Sequence, residues 1–252
     1  MEQCYQTGGI SNQVTRPLNK SLLATVENFD AVFNSLIDTL ESIRDRQLPN
    51  DDMRTRVVSA IYTMQQCIGA ALDGLPVGHS NQARKVNGDL FERLVNLLVR
   101  ASGIDCRSGV IKVPVRDDNG NILFKARYQH DMMLEVSGEL KVIGSVKTSS
   151  KDRVDKIFID KFLYDRLTGT AVPHVAIFLH DVQRAGREPH YRVSSTFLPG
   201  HFKAYTVKLN SLDGVFYCDL RPQMLADPIL REEIRPIDCF FFDVLPQIVA
   251  PG

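Results

Sequence analysis

Residues 122–150, ILFKARYQHDMMLEVSGELKVIGSVKTSS, decide the fold. Two runs rich in β-branched and aromatic residues, Ile122 to Val136 and Leu140 to Lys147, flank the turn signal Ser137-Gly138 and read as a pair of antiparallel strands. Side chains alternate along a strand, so Ser145 and Lys147 share a face. Asp131 joins that face only if the connection holds an odd number of residues. A three-residue loop, Ser137 to Glu139, pairs Asp131 with Ser145, whereas a two-residue loop turns Asp131 to the wrong side. The three-residue loop is the expectation.

Working outward, Asp117-Asp118-Asn119-Gly120 is a second turn, joining Ile122–Val136 to an earlier strand around Val110 to Val115. Leu90, Phe91, Leu94, Val95 and Leu98 place an amphipathic helix before that strand, ending near Gly103. On the other side, Asp152 to Leu167 reads as a helix and Val172 to Leu179 as a continuously apolar, buried strand. Pro199 to Leu209 follows as a short helix and Val215 to Asp219 as a further strand. Helices alternating with strands give an α/β core around a mixed central sheet.

Residues 21–46 carry Leu22, Val26, Phe29, Phe33, Leu36, Leu40 and Ile43 on one helical seam, and Met53, Val57, Ala60, Met64, Cys67 and Ala71 repeat the pattern. Between them, Leu48-Pro49-Asn50-Asp51 supplies a stop and an N-cap. The expectation is an N-terminal helical hairpin that packs on the core, forms a dimer interface or wraps a partner. Gly74 to Asn87, rich in Gly, Pro, Ser and Asn, marks the boundary, giving an extension over 1–82 and a main domain over 83–252.

At 252 residues, 44% hydrophobic and 24% charged, the chain has an ordinary globular balance. Its net charge of zero gives no global signal for nucleic acid, so any such surface must come from local segregation. Between Gln183 and Lys208 five basic residues face one acid, Glu188, while Asn210 to Gly252 holds seven acids against three arginines. Five scattered cysteines without CxxC spacing suggest neither disulfides nor zinc, and a reducing cytoplasm is the natural compartment. No signal-peptide pattern and no apolar run long enough to span a bilayer occurs, so a soluble intracellular protein is expected. GxxxxGK, GxGxxG and HExxH patterns are absent, which argues against nucleotide hydrolysis, dinucleotide binding and zinc proteolysis.

Asn87-Gly88-Asp89-Leu90-Phe91-Glu92-Arg93, His130-Asp131 and Ser145-Val146-Lys147 follow one another in the order helix-Glu, strand-Asp, strand-x-Lys. After the lysine comes Lys147-Thr148-Ser149-Ser150-Lys151-Asp152-Arg153. This arrangement resembles the PD-(D/E)XK nuclease superfamily, and the segment after Lys147 resembles type II restriction endonucleases in particular. Two departures stand out: His130 replaces the usual proline, and Ser145 replaces the usual acid. Some restriction enzymes with Ser-x-Lys take the missing acid from the next helix about 13 residues on, which here is Asp160.

The resemblance implies a restriction-endonuclease-like core and Mg²⁺-dependent hydrolysis of phosphodiester bonds in double-stranded DNA. Asp131, with Asp160 or Glu92 and the Val146 carbonyl, would hold the metal, Glu135 being a further competing acid, and Lys147 would steady the attacking water and the phosphoryl charge. Thr148, Ser149, Lys151 and Arg153 are placed for the DNA backbone or for capping the following helix, while Gln183, Arg184, Arg187, His201 and Lys203 are the candidates for base edges. It also implies a homodimer in a prokaryotic cytoplasm, with a cognate DNA methyltransferase as genetic partner. Two rivals share these residues: a repair or recombination nuclease with the same core, and a non-catalytic DNA-binding protein in which Ser145 marks a dead site.

Overall fold

His174–His180 (HVAIFLH) is buried at every position, and its alternate residues enter two different apolar clusters. Val175, Ile177 and Leu179 join one, Ala176 and Phe178 the other. A strand covered on both faces has no use for polar residues, which is why it reads as an unbroken apolar run.

The computed structural model describes residues 2–6, 13–17, 29–44, 48–73, 80–150, 153–187 and 190–249. In chain order the elements are β1 (Glu2–Gln6), β2 (Gln13–Pro17), α1 (Phe29–Arg44), α2 (Asp51–Asp73), α3 (Ser80–Ala101), β3 (Asp105–Arg116), β4 (Ile122–Val136) and β5 (Glu139–Ser149). Then come α4 (Val154–Thr168), β6 (His174–His180), β7 (Val182–Arg187), β8 (His190–Ser195), α5 (Pro199–Lys208), β9 (Gly214–Tyr217), α6 (Pro222–Ala226), α7 (Pro228–Glu233) and β10 (Ile234–Pro236). The described chain ends in a helical run, α8 (Ile237–Cys239), a π-helical turn (Phe240–Val244) and α9 (Leu245–Val249). No helix among the described residues is long and apolar enough to cross a membrane.

The central sheet has six strands in the order β10-β9-β6-β5-β4-β3. β3, β4 and β5 pair antiparallel, whereas β5, β6, β9 and β10 pair parallel, so the sheet is mixed as expected. One face packs against α1, α2, α3 and the C-terminal helical run through Leu36, Leu40, Ile61, Phe91, Met132 and Phe240, among others. The other face packs against α4 and α5, with Phe158 edge-on to Phe202 at 5.5 Å between ring centroids. The two N-terminal helices thus share an apolar core with the sheet. The 82/83 boundary falls inside α3, whose early residues Asn81, Gln82, Arg84 and Lys85 are exposed. Asn50 caps α2 as its sequence suggested, its Oδ1 accepting from the Met53 N–H at 2.9 Å.

The connection between β4 and β5 differs from expectation. Val136 pairs with Glu139, so the turn holds two residues, Ser137 and Gly138, both at positive φ (54° and 80°) as a type I′ hairpin turn requires. A two-residue turn alone would put Asp131 on the wrong face. The register is restored by a β-bulge: Leu134 pairs with Val142 but Glu135 with Leu140, leaving Lys141 as the extra residue. From there Met132 faces Gly144, and the same register carried one residue further sets Asp131 opposite Ser145. The turn therefore saves one residue relative to the three-residue loop, and the bulge returns it.

Residues 182–195 take in the start of the basic stretch between Gln183 and Lys208. They form an antiparallel ribbon, β7 and β8, that leaves the end of β6. Its base is fixed by buried Asp181, which is ion-paired with Arg221 and accepts from the Ser195 hydroxyl at 3.2 Å. The Asp181 carbonyl also accepts from the Thr196 N–H at 2.6 Å.

Candidate active site

β4 and β5 stay paired from Val136 back to Met132 and then part, while β4 continues with β3 alone. Into the fork project Asp131 from β4, Lys147 from β5 and Glu92 from α3. The Lys147 ammonium lies 2.5 Å from Asp131 Oδ2 and 2.9 Å from Glu92 Oε1, so one cation bridges two carboxylates. Asp131 Oδ2 also accepts from the Val146 N–H at 2.9 Å, which fixes its rotamer against the β5 backbone. All three side chains are half-buried, at 13% (Asp131), 23% (Lys147) and 27% (Glu92) exposure: dry enough to strengthen charge interactions, open enough for a substrate.

Two negative charges share one positive charge here. Burial pushes the Glu92 carboxyl above its ordinary range, the Asp131 charge pushes the same way, and Lys147 opposes both. The fork therefore offers hard oxygen donors with an unmet demand for positive charge, a chemistry that fits Mg²⁺. Among the described residues no group of three or more His, Cys, Asp and Glu is assembled as a ligand set, and the carboxylates in contact with Lys147 are those of Asp131 and Glu92.

Asn96 had no place in the sequence reading, yet it ties the fork together. Its Nδ2 donates to the main-chain carbonyls of Glu92, at 2.8 Å, and of Asp131, at 3.0 Å, and its Oδ1 accepts from the Cys106 thiol at 2.8 Å. One amide thereby clamps α3 to β4 where each contributes its acid. The spacing of Glu92 and Asn96, four apart on one helix face, is the signal that could have found it.

The remaining candidates are spread more widely. Asp160 sits on α4, where it pairs with Lys156 at 2.6 Å and lies close enough to Tyr128 and His130 to perturb them electrostatically. The structure thus brings Glu92, and not Asp160, into contact with the Asp131–Lys147 pair. Glu135 is engaged with Arg107 at 2.5 Å. Ser145 is half-buried on β5 within the fork, and Val146 meets Asp131 through its amide. Thr148 and Ser149 continue β5, half-buried, while Lys151 lies outside the described residues. Arg153 occupies the N-cap of α4, exposed and making no side-chain capping bond. Gln183, Arg184 and Arg187 fall on β7, and their side chains lie outside those described. On α5, His201 is exposed and Lys203 is bound to Asp227 at 2.6 Å.

No protein-family model and no curated protein sequence matches the chain. Among solved structures it is similar to the crystal structure of the Type IIP restriction endonuclease Kpn2I, with a TM-score of 0.69 at 16% identity over 97% of this chain and 84% of that one. A second match is the restriction endonuclease PspGI–substrate DNA complex, at 13% identity and a TM-score of 0.47 over 93% of this chain and 99% of that one. The sheet and its flanking helices have the type II restriction endonuclease fold.

Proposed function

We propose that this protein is a site-specific endonuclease that hydrolyses phosphodiester bonds of double-stranded DNA with Mg²⁺, as type II restriction enzymes do. The observation that carries the reading is the convergence of Glu92, Asp131 and Lys147 where β4 and β5 separate. In this reading Asp131, Glu92 and the Val146 carbonyl hold the ion, with Asp160 as the alternative acid that the resemblance offers. When bound, Mg²⁺ supplies Lewis-acid polarisation of a phosphoryl oxygen and a water ligand of lowered pKa.

The protein's own groups do the rest. Val146 N–H keeps Asp131 Oδ2 aimed into the fork, so the carboxylate is oriented before any ligand arrives. Asn96 fixes the distance between the two acids through their backbones. The Lys147 ammonium, between the acids, is placed to donate to the phosphoryl oxygens as their charge grows and to hold the attacking water by hydrogen bonding. Cutting both strands of a palindromic site requires two such forks related by a twofold axis, so the working unit is a homodimer in a prokaryotic cytoplasm, partnered genetically by a methyltransferase.

Digestion of phage DNA by purified protein tests the reading. Discrete fragments with Mg²⁺ and none with EDTA are expected. A smear would point to a nuclease without sequence preference, and intact DNA at every Mg²⁺ concentration would overturn the assignment.

A further inference from the structure

β4 pairs with β5 only from Met132 to Val136, but with β3 over nearly its whole length. From Gln129 outward, β3 and β4 therefore form a two-stranded arm that extends past the rest of the sheet. The inner face of the arm is apolar: Ile111, Val113 and Tyr128 pack with Tyr164 and Leu167 of α4. The outer face is not. Register pairs Lys112 with Arg127, Pro114 with Lys125 and Val110 with Gln129, and Lys112, Lys125, Arg127 and Gln129 are all exposed.

Two features of this strip call for an anionic partner. Lys112 and Arg127 stand directly opposite each other, an arrangement that repels and weakens a hairpin unless something negative lies over it. Two acids of the arm, Asp117 and Glu135, are engaged elsewhere. Asp117 in the arm's turn accepts from the N–H groups of Asn119 and Asn121, at 2.9 and 2.8 Å, and Glu135 at the base holds Arg107. Among the described residues Lys112, Lys125 and Arg127 make no ion pair with an acid. Alternation along β4 puts Lys125, Arg127 and Gln129 on one side of the strand, and the strip ends two residues short of Asp131, where the bulge in the β3–β4 ladder begins.

We infer that the outer face of the β3–β4 arm, through Lys112, Lys125 and Arg127, carries the phosphate backbone of duplex DNA away from the Glu92–Asp131–Lys147 fork. The inference rests on the endonuclease reading and adds to it a surface that the sequence did not single out. The six steps from Lys125 to Asp131 span roughly 20 Å at the rise of an antiparallel strand, about six base-pair steps of a B-form duplex. Cations here would position the duplex without reading its sequence.

The test compares Lys112→Ala/Arg127→Ala with Arg56→Ala/Lys141→Ala, a control that removes the same charge from α2 and from β5 beside the β4–β5 turn. Binding of a labelled mixed-sequence duplex, with Ca²⁺ replacing Mg²⁺, is measured across a salt series. The arm variant should bind at least 10-fold more weakly at about 0.1 M salt, and its slope of log K against log[salt] should be smaller by about 2, near 0.9 per lost phosphate contact. The control should match wild type. The thermal melt of the arm variant should be as high as wild type or higher, since a repelling pair is gone, so weak binding cannot be blamed on unfolding. If wild type binds and cuts while both variants match it in affinity and slope, the arm proposal fails and the endonuclease reading stands. If wild type binds no duplex, the endonuclease reading itself fails and takes the arm with it.

Discussion

Replacing Lys147 by methionine keeps the stem of the side chain and removes its charge. In the wild-type fork one ammonium lies between two carboxylates at 2.5 and 2.9 Å; in Lys147→Met the two acids face each other uncompensated. Removing one partner of a fully buried pair costs about 3–5 kcal/mol, and the partial exposure of all three side chains reduces this to about 2. For a chain of this size that corresponds to a fall in Tm of about 4–8 °C without metal. Magnesium should then stabilise the variant more than wild type, because no ammonium competes for the acids. At a concentration 100-fold above Kd the gain is about 2.7 kcal/mol. Cleavage should fall by at least about 10²-fold, the loss typical of one charge-stabilising donor. Thermal melts of both proteins with and without Mg²⁺, beside a cleavage time course, read all three effects. A variant as stable as wild type, indifferent to Mg²⁺ and still cutting would refute the shared-cation account of the fork.

Other expectations follow from the same geometry. Glu92→Gln should reduce cleavage more than Asp160→Asn, since Glu92 touches Lys147 and Asp160 touches Lys156; equal or reversed effects, in a steady-state assay, would move the second acid to α4. Buried His130, whose Nε2 has no hydrogen-bond partner, is pushed down from 6.5 to about 4, first by burial and then by neighbouring His174. The unfolded chain then binds the extra proton, so stability is intact above about pH 6.5 and falls as pH drops towards 4, by about 2 kcal/mol after discounting for residual solvent. His130→Phe should flatten that limb in urea titrations at several pH values, and an unchanged limb would assign it to other groups. Asp181→Ala leaves Arg221 without its buried partner and, because Arg221 is partly exposed, should cost about 2 kcal/mol, read as a lowered midpoint of denaturation; a loss under about 0.5 kcal/mol would mean that the ribbon needs no such anchor.

Much of this was legible before any coordinates. β4 has the bounds that its composition indicated, Ile122–Val136, and α4, β6, α5 and β9 lie within a few residues of their expected ranges. Hydrophobic periodicity reports burial, and burial decides those elements. Asp131 and Lys147 could be set on one face by counting strand residues, while Glu92 was named through the resemblance to the PD-(D/E)XK pattern. What stayed hidden depends on partners remote in sequence. Lys161 is buried on α4 because Asp213, 52 residues later, meets it at 2.5 Å. Asn96 looks like any polar helix residue until β4 is laid against it. The β7–β8 ribbon lacks alternation strong enough to mark two strands among its Arg, Gly and Pro residues.

Parity offers the sharpest contrast. The face on which Asp131 lies depends on how many residues lie between it and Ser145, not on where the turn is made. Counting therefore gave the correct register with the wrong loop, since a two-residue turn plus an extra Lys141 has the same parity as a three-residue turn. The two solutions are not physically equivalent. The type I′ turn matches the natural twist of the strands, and the bulge adds twist and bend to β5 a few residues before the fork. On its other side β4 meets β3 through a second irregularity, between Arg107 and Gly109, opposite His130 to Met133. Asp131 thus sits on a strand whose pairing is interrupted on both flanks. Regular ladders would have kept β4 beside β5 to their ends and left no fork, so the two bulges are what separate the strands where the acids and the lysine meet.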